Sequence, residues 1–184
     1  MIVMKIFKRI ALLVLILCSL HSYGQRYLTR NGEATFFSDG IVEDITATSN
    51  ELVMAVDITT GEVIAKVPMT SFSFKIKLMQ EHFNENYVES HIYPEAVFRG
   101  VIQDIDPAVR DTQNLIVTGT MDLHGVKREM QTSVKLLLNE NNIYGEAVFP
   151  LAVKEYKIKI PRVVVKNIAE VVEVTVKSKM QLYE

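Results

Sequence analysis

The chain has 184 residues, 20 Lys and Arg against 22 Asp and Glu, a net charge of −2 and a single cysteine. Nucleic acid is excluded as a partner, because no block of Lys and Arg is present to displace its counterions. One cysteine excludes a disulfide framework and a thiolate-bound zinc.

The first element in chain order reads as a secretory leader. Lys5, Lys8 and Arg9 precede an unbroken apolar run from Ile10 to Leu17, and Ser22-Tyr23-Gly24 offers a small-residue exit. The run falls short of the roughly 20 apolar residues that span a bilayer. Cleavage before Gln25 divides the chain into a signal peptide, 1–24, and one domain, 25–184. It removes three basic and no acidic residues, leaving 160 residues at −5, and Cys18 leaves with the leader. Lipid attachment at Cys18 is not expected, since Leu17 stands where that processing requires a small residue. The expected location is periplasmic or secreted. A chain of about 160 residues buries around 70% of its unfolded surface, enough for one core without disulfides.

Beyond Gln25 the pattern is alternation. In Val171-Val-Glu-Val-Thr-Val-Lys-Ser-Lys-Met-Gln-Leu182, Val172, Val174, Val176, Met180 and Leu182 share one face, opposite Glu173, Thr175, Lys177 and Lys179. That period of two belongs to a half-buried strand. Residues 71–78 repeat it, with Phe72, Phe74, Ile76 and Leu78 on one side. Weaker alternation predicts strands over 33–38, 41–48, 51–59, 62–67, 96–104, 114–123, 129–138, 143–151 and 156–160. Turn signals such as Ser38-Asp39-Gly40, Thr60-Gly61 and Asp106-Pro107 separate them. Over 78–89 the spacing of Leu78, His82, Phe83 and Tyr87 is near-helical, and Pro94 forbids continuation. The reading is an all-β antiparallel sandwich or barrel with one short helix inserted mid-chain.

About eight strands closed into a barrel leave an interior that side chains fill or that holds one small apolar ligand. The bulky candidates for its wall are Phe36, Leu52, Met54, Val56, Phe72, Phe74, Val97 or Phe98, Leu136, Phe149, Val174 and Met180. Phe83, Tyr87 and Tyr93 flank the helix-to-strand join and are candidates for its mouth, or else staple the helix to the sheet. Such residues ordinarily just pack a core, and composition does not decide between that and a tunnel for a long apolar molecule.

Two segments narrow the choice. His91-Ile-Tyr-Pro-Glu-Ala-Val-Phe98, following the helix with Phe83, resembles the Phe … Tyr-Pro … Phe signature of the YceI-like family. Val117-Thr-Gly-Thr-Met-Asp-Leu-His-Gly-Val-Lys-Arg-Glu-Met130 resembles that family's Gly-x-Leu-Thr-x-His-Gly-Val-Thr-Lys-x-Val strand pair. The matching positions are Phe83, Tyr93, Pro94, Phe98, Leu123, His124 and Gly125. The resemblance implies a lipocalin-like barrel, exported to the periplasm, that encloses a polyisoprenoid and has no established catalytic residues. The chain departs from the family at 160–169, which keeps Arg162 but lacks Asp-Phe-Gly, and at Lys77-Leu-Met-Gln-Glu-His82, which replaces the usual Arg-Asp-x-His-Leu.

Reactive chemistry finds little support. His82, His91 and His124 are nine and thirty-three residues apart, which matches no helical or hairpin ligand pair, so no metal is expected. No Gly-x-Ser-x-Gly elbow occurs. Glu43-Asp44 and the pair Glu81 and Glu85 read as solvated faces. Lys75, Lys77 and Arg99 could meet a polar head group or simply face water. The expectation is a non-enzymatic protein without a cofactor. Its partner is a polyisoprenoid, a quinone or another long apolar lipid, with a homodimer as an allowed assembly; the alternative is a structural or interaction barrel with a packed core.

Overall fold

Nine strands carry the alternation in the computed structural model, which describes residues 25–40, 44–139, 141–160 and 169–183. They are β1 (Arg26–Ser38), β2 (Ile45–Asp57), β3 (Glu62–Pro68), β4 (Ser73–Phe74), β5 (Glu95–Ile102), β6 (Gln113–Leu123), β7 (Val126–Asn139), β8 (Asn142–Ala152) and β9 (Val171–Tyr183). Eight of them close into a ring, β1-β9-β8-β7-β6-β5-β3-β2 and back to β1, with every neighbour antiparallel. Closure removes the two free sheet edges that an open sheet would present. β4 is a two-residue flap on β2, where Phe74 opposes Ala47. A closed antiparallel barrel of eight strands with one short helix is the fold that the resemblance implies and one of the two that the alternation allows. The leader, residues 1–24, and Arg162 lie outside the described residues, as does the start of the strand expected over 41–48.

Local departures have physical causes. The strands expected over 41–48 and 51–59 are one strand, β2, and the strand expected over 33–38 begins at Arg26. Both β1 and β2 are bulged. The β1–β2 register shifts between Thr29 and Gly32 and again before Ala34. Two successive exposed residues mark each bulge, Arg30-Asn31 and Asn50-Glu51. An extra residue inserted in this way bends and twists the strand without ending it, although in sequence it looks like a turn.

The run 71–78 is strand only at Ser73–Phe74. Ile76 and Leu78 are 39% and 57% exposed, so they do not share the buried face of Phe72. The chain enters helix α1 (Lys77–His82) there and continues through a wider π-helical turn, Phe83–Tyr87. Residues 156–160 form no strand. A 3-10 turn, Val153–Tyr156, is followed by Lys157 at φ 59°, and Tyr156 and Ile158 are buried at one end of the barrel.

The β2–β3 turn carries a pH-dependent contribution. Asp57 Oδ1 accepts the N–H of Thr59 at 2.9 Å and that of Thr60 at 3.3 Å, while the Gly61 N–H donates to the Asp57 carbonyl at 2.8 Å. Gly61 sits at φ +76°, and a Cβ there would lie 2.3 Å from the Ile102 carbonyl oxygen. Burial of Asp57 raises its pKa, but the two backbone donors and the Arg26 guanidinium outweigh it and hold the carboxyl below the ordinary 3.8. A lowered folded-state value stabilises above the unfolded pKa and is lost as pH falls through the folded one. Asp57→Asn is therefore expected to melt about 3 °C lower at neutral pH. Thermal scans should show that gap narrowing as the pH drops below 3.8; a gap independent of pH would contradict the assignment.

Candidate functional site

Inward residues of the eight barrel strands, joined by Phe72 and Tyr156 from the connecting segments, form two buried clusters. One includes Val56, Val63, Ile102, Leu136, Ile143 and Met180; the other includes Ala34, Leu52, Val67, Phe72, Leu123 and Tyr156. Residues from both line a single internal cavity of about 260 Å³. One water needs only about 10–15 Å³ of such space, so the cavity far exceeds a packing defect. Where Thr35, Ser38, Lys66, Thr132, Glu146 and Ser178 reach the wall, they present carbon rather than oxygen or nitrogen. An interior with no polar partner holds water poorly and apolar carbon well.

Aromatic rings close one part of this space. Phe36 lies 5.6 Å from Phe72, 5.7 Å from Phe74 and 5.5 Å from Phe83, centroid to centroid, and Phe74 is 5.1 Å from Phe83. The π-helical turn supplies Phe83 and Tyr87 to the cavity wall. Burial pushes the Tyr87 phenol above its ordinary range.

The turn between β6 and β7 is pinned to its surroundings. His124 and Gly125 form a two-residue hairpin loop with φ of 53° and 69°, the positive values that such a loop requires when it follows the twist of the strands. A Cβ on Gly125 would lie 2.6 Å from the Tyr93 ring. Buried His124 donates from Nδ1 to the Tyr156 carbonyl at 3.0 Å, since that oxygen can only accept. Its Nε2 lies 2.9 Å from Glu89 Oε2, and Tyr93 covers the ring at 4.4 Å. One imidazole thus ties together the β6–β7 hairpin, the end of the helical segment and the 3-10 turn after β8. Among the described residues, no three His, Cys, Asp or Glu side chains gather as a metal site would require. No described helix is long and apolar enough to cross a membrane.

Residues 29–180 match the model of the YceI-like domain. The chain belongs to the YceI-like family. No curated protein matches it in sequence. Among the solved structures that share the fold at low identity are these three. A polyisoprenoid binding domain from Saccharophagus degradans implicated in plant cell wall breakdown is 17% identical, with a TM-score of 0.75 over 88% of this chain and 100% of that one. Burkholderia cenocepacia BcnA is 13% identical, TM-score 0.68, over 81% and 95%. The Campylobacter jejuni YCEI protein is 12% identical, TM-score 0.58, over 73% and 81%.

In this YceI-like barrel, twelve of the fifteen wall and mouth candidates named from the sequence border the cavity. They are Phe36 on β1, Leu52, Met54 and Val56 on β2, Phe72 after β3, Phe83 and Tyr87 on the helical segment, Phe98 rather than Val97 on β5, Leu136 on β7, Phe149 on β8, and Val174 and Met180 on β9. Phe74 packs behind Phe36 and Phe83 instead, and Tyr93 lies over His124; neither borders the cavity. Lys75, Lys77 and Arg99 are exposed and contribute nothing to its wall. Met121, Met130 and Ala147 also line the space. Period two could have placed the first two, since Met121 shares a face with Leu123, and Met130 with Val134. The clasp partners Glu89 and Tyr156 left no such signal, because their contacts join segments more than 30 residues away.

Proposed function

We propose that this protein is a non-enzymatic carrier whose barrel encloses the long apolar chain of a polyisoprenoid, a quinone or a similar amphiphilic lipid. The observation that carries this reading is the carbon-lined cavity with residues of all eight closed strands around it. Phe36, Met54, Phe72, Phe98, Leu136, Phe149, Val174 and Met180 form the wall in contact with the guest, with Phe83 and Tyr87 closing it. Phe74 acts behind that wall, backing Phe36, while Tyr93 covers His124 away from the wall. Residues 1–24 direct export and are removed, so the domain works in the periplasm or outside the cell. The polyisoprenoid binding domain of similar fold supports the ligand class.

Magnitudes favour a long guest. Each buried methylene contributes about 0.8 kcal/mol. About ten carbons then gain about 8 kcal/mol, comparable with the roughly 4–15 kcal/mol lost on association, whereas about twenty carbons exceed most of that range. A barrel with a filled core, acting through its surface, has less support because space remains inside this one.

The test is to purify the protein from its natural host without detergent, extract it with organic solvent and analyse the extract by mass spectrometry. One long-chain apolar lipid per protein molecule is expected. A trace mixture matching the host's bulk lipids would contradict the reading.

A further inference from the structure

The barrel wall is not hydrogen-bonded along its whole height. β7 and β8 pair from Val134↔Ala147 to Asn139↔Asn142 and no further. β7 nevertheless extends back to Val126, and β8 forward to Ala152. Among the described residues, 126–133 pair with β6 alone and 148–152 with β9 alone. Pro150, within the parted stretch of β8, brings no N–H to either neighbour. Met130 and Thr132 on one side of the parting, and Phe149 and Leu151 on the other, line the cavity.

The inward positions of β7 run Val126, Arg128, Met130, Thr132, Val134, Leu136, and one of them is charged. Arg128 stands directly opposite Met121 on β6, and residues so paired share a face of the sheet. Met121 lines the cavity. Arg128 therefore sits on the inner face just beyond the apolar wall, at the parting. Its Nε lies 3.0 Å from Glu155 Oε2, on the 3-10 turn that follows β8, with side-chain exposures of 44% and 52%. A half-exposed pair of this kind is weak and exchanges readily for another oxyanion, and the guanidinium offers a planar fork of donors suited to one.

We propose that the parting between β7 and β8 is the mouth of the cavity and that Arg128 holds an oxyanion head group there, a carboxylate or phosphate that displaces Glu155. This rests on the reading of the cavity as a lipid site, and narrows its guest to amphiphiles with an apolar chain and an anionic head. The chain lies against Met130, Phe149 and Leu151 while the head stays in the half-solvated mouth, so no charge is buried.

Hexadecanoate and hexadecanol test the proposal, since they share a chain and differ in head charge. Equilibrium binding should show the wild-type protein preferring hexadecanoate by about tenfold. Arg128→Gln should remove that preference and leave hexadecanol affinity unchanged, which also shows that the variant folds. Glu155→Gln should strengthen hexadecanoate binding by freeing the guanidinium. An Arg128→Gln variant that keeps the wild-type preference, or loses both ligands equally, overturns the head-group role while leaving the cavity reading intact. Weaker hexadecanoate binding by Glu155→Gln overturns the exchange. Wild-type protein that binds neither compound overturns the cavity reading and this one with it.

Discussion

Val174→Asp is expected to lower the melting temperature by more than about 10 °C and to abolish lipid retention. Val174 faces Phe36 across β1 and Phe149 across β8, and it borders the cavity. A carboxylate there meets only carbon. Placing an unpaired charge or an unsatisfied protonated carboxyl in such surroundings costs several kcal/mol, a large share of the roughly 5–15 kcal/mol that stabilises a domain. Thermal unfolding and solvent extraction of the same preparation check both halves. Phe74→Asp should be milder, because Phe74 is only half-buried and stands behind the wall. A Val174→Asp protein with normal melting and normal lipid content would show that Val174 does not face an apolar interior.

Leu136→Ala should cost about 4 kcal/mol. Leu136 is 1% exposed, lies between Gln113 and Gly145 on the neighbouring strands, and belongs to the cluster with Ile143 and Met180. Leu-to-Ala changes in cores cost roughly 2.7–5 kcal/mol, and more where the surroundings collapse poorly. A residue that already borders a cavity has few neighbours able to move in, and Gly145 opposite it has no side chain to contribute. Denaturant unfolding should show a lower midpoint at unchanged slope. A loss below about 1 kcal/mol would mean that the cavity collapses freely and is not a preformed site.

What the sequence conveys about this molecule follows from the range of each signal. Alternation is local, so β9 and the apolar residues on β1 and β8 could be read as wall candidates, whereas on β5 the choice between Val97 and Phe98 waited on the register. The bulges at Arg30-Asn31 and Asn50-Glu51 broke the alternation and split β2 into two expected strands. Phe72, Phe74, Ile76 and Leu78 alternate on paper, but the chain turns into α1 after Phe74, so half of the set ends in solvent. Buried Tyr156 and Ile158 share an apolar-polar rhythm with strand residues, yet they plug one end of the barrel from an irregular segment. The mouth was the least legible part. Whether β7 pairs with β8 along its whole length depends on partners about 20 residues away. Arg128 resembles any surface cation until its register opposite Met121 is known.

The proposed function requires a hydrocarbon guest inside the barrel. Native mass spectrometry of the delipidated protein, incubated with prenyl alcohols of about 10 and about 20 carbons, measures that directly. A saturable one-to-one complex with the longer alcohol and little with the shorter is expected. Equal, non-saturating adducts with both, or none with either, would contradict the proposed function.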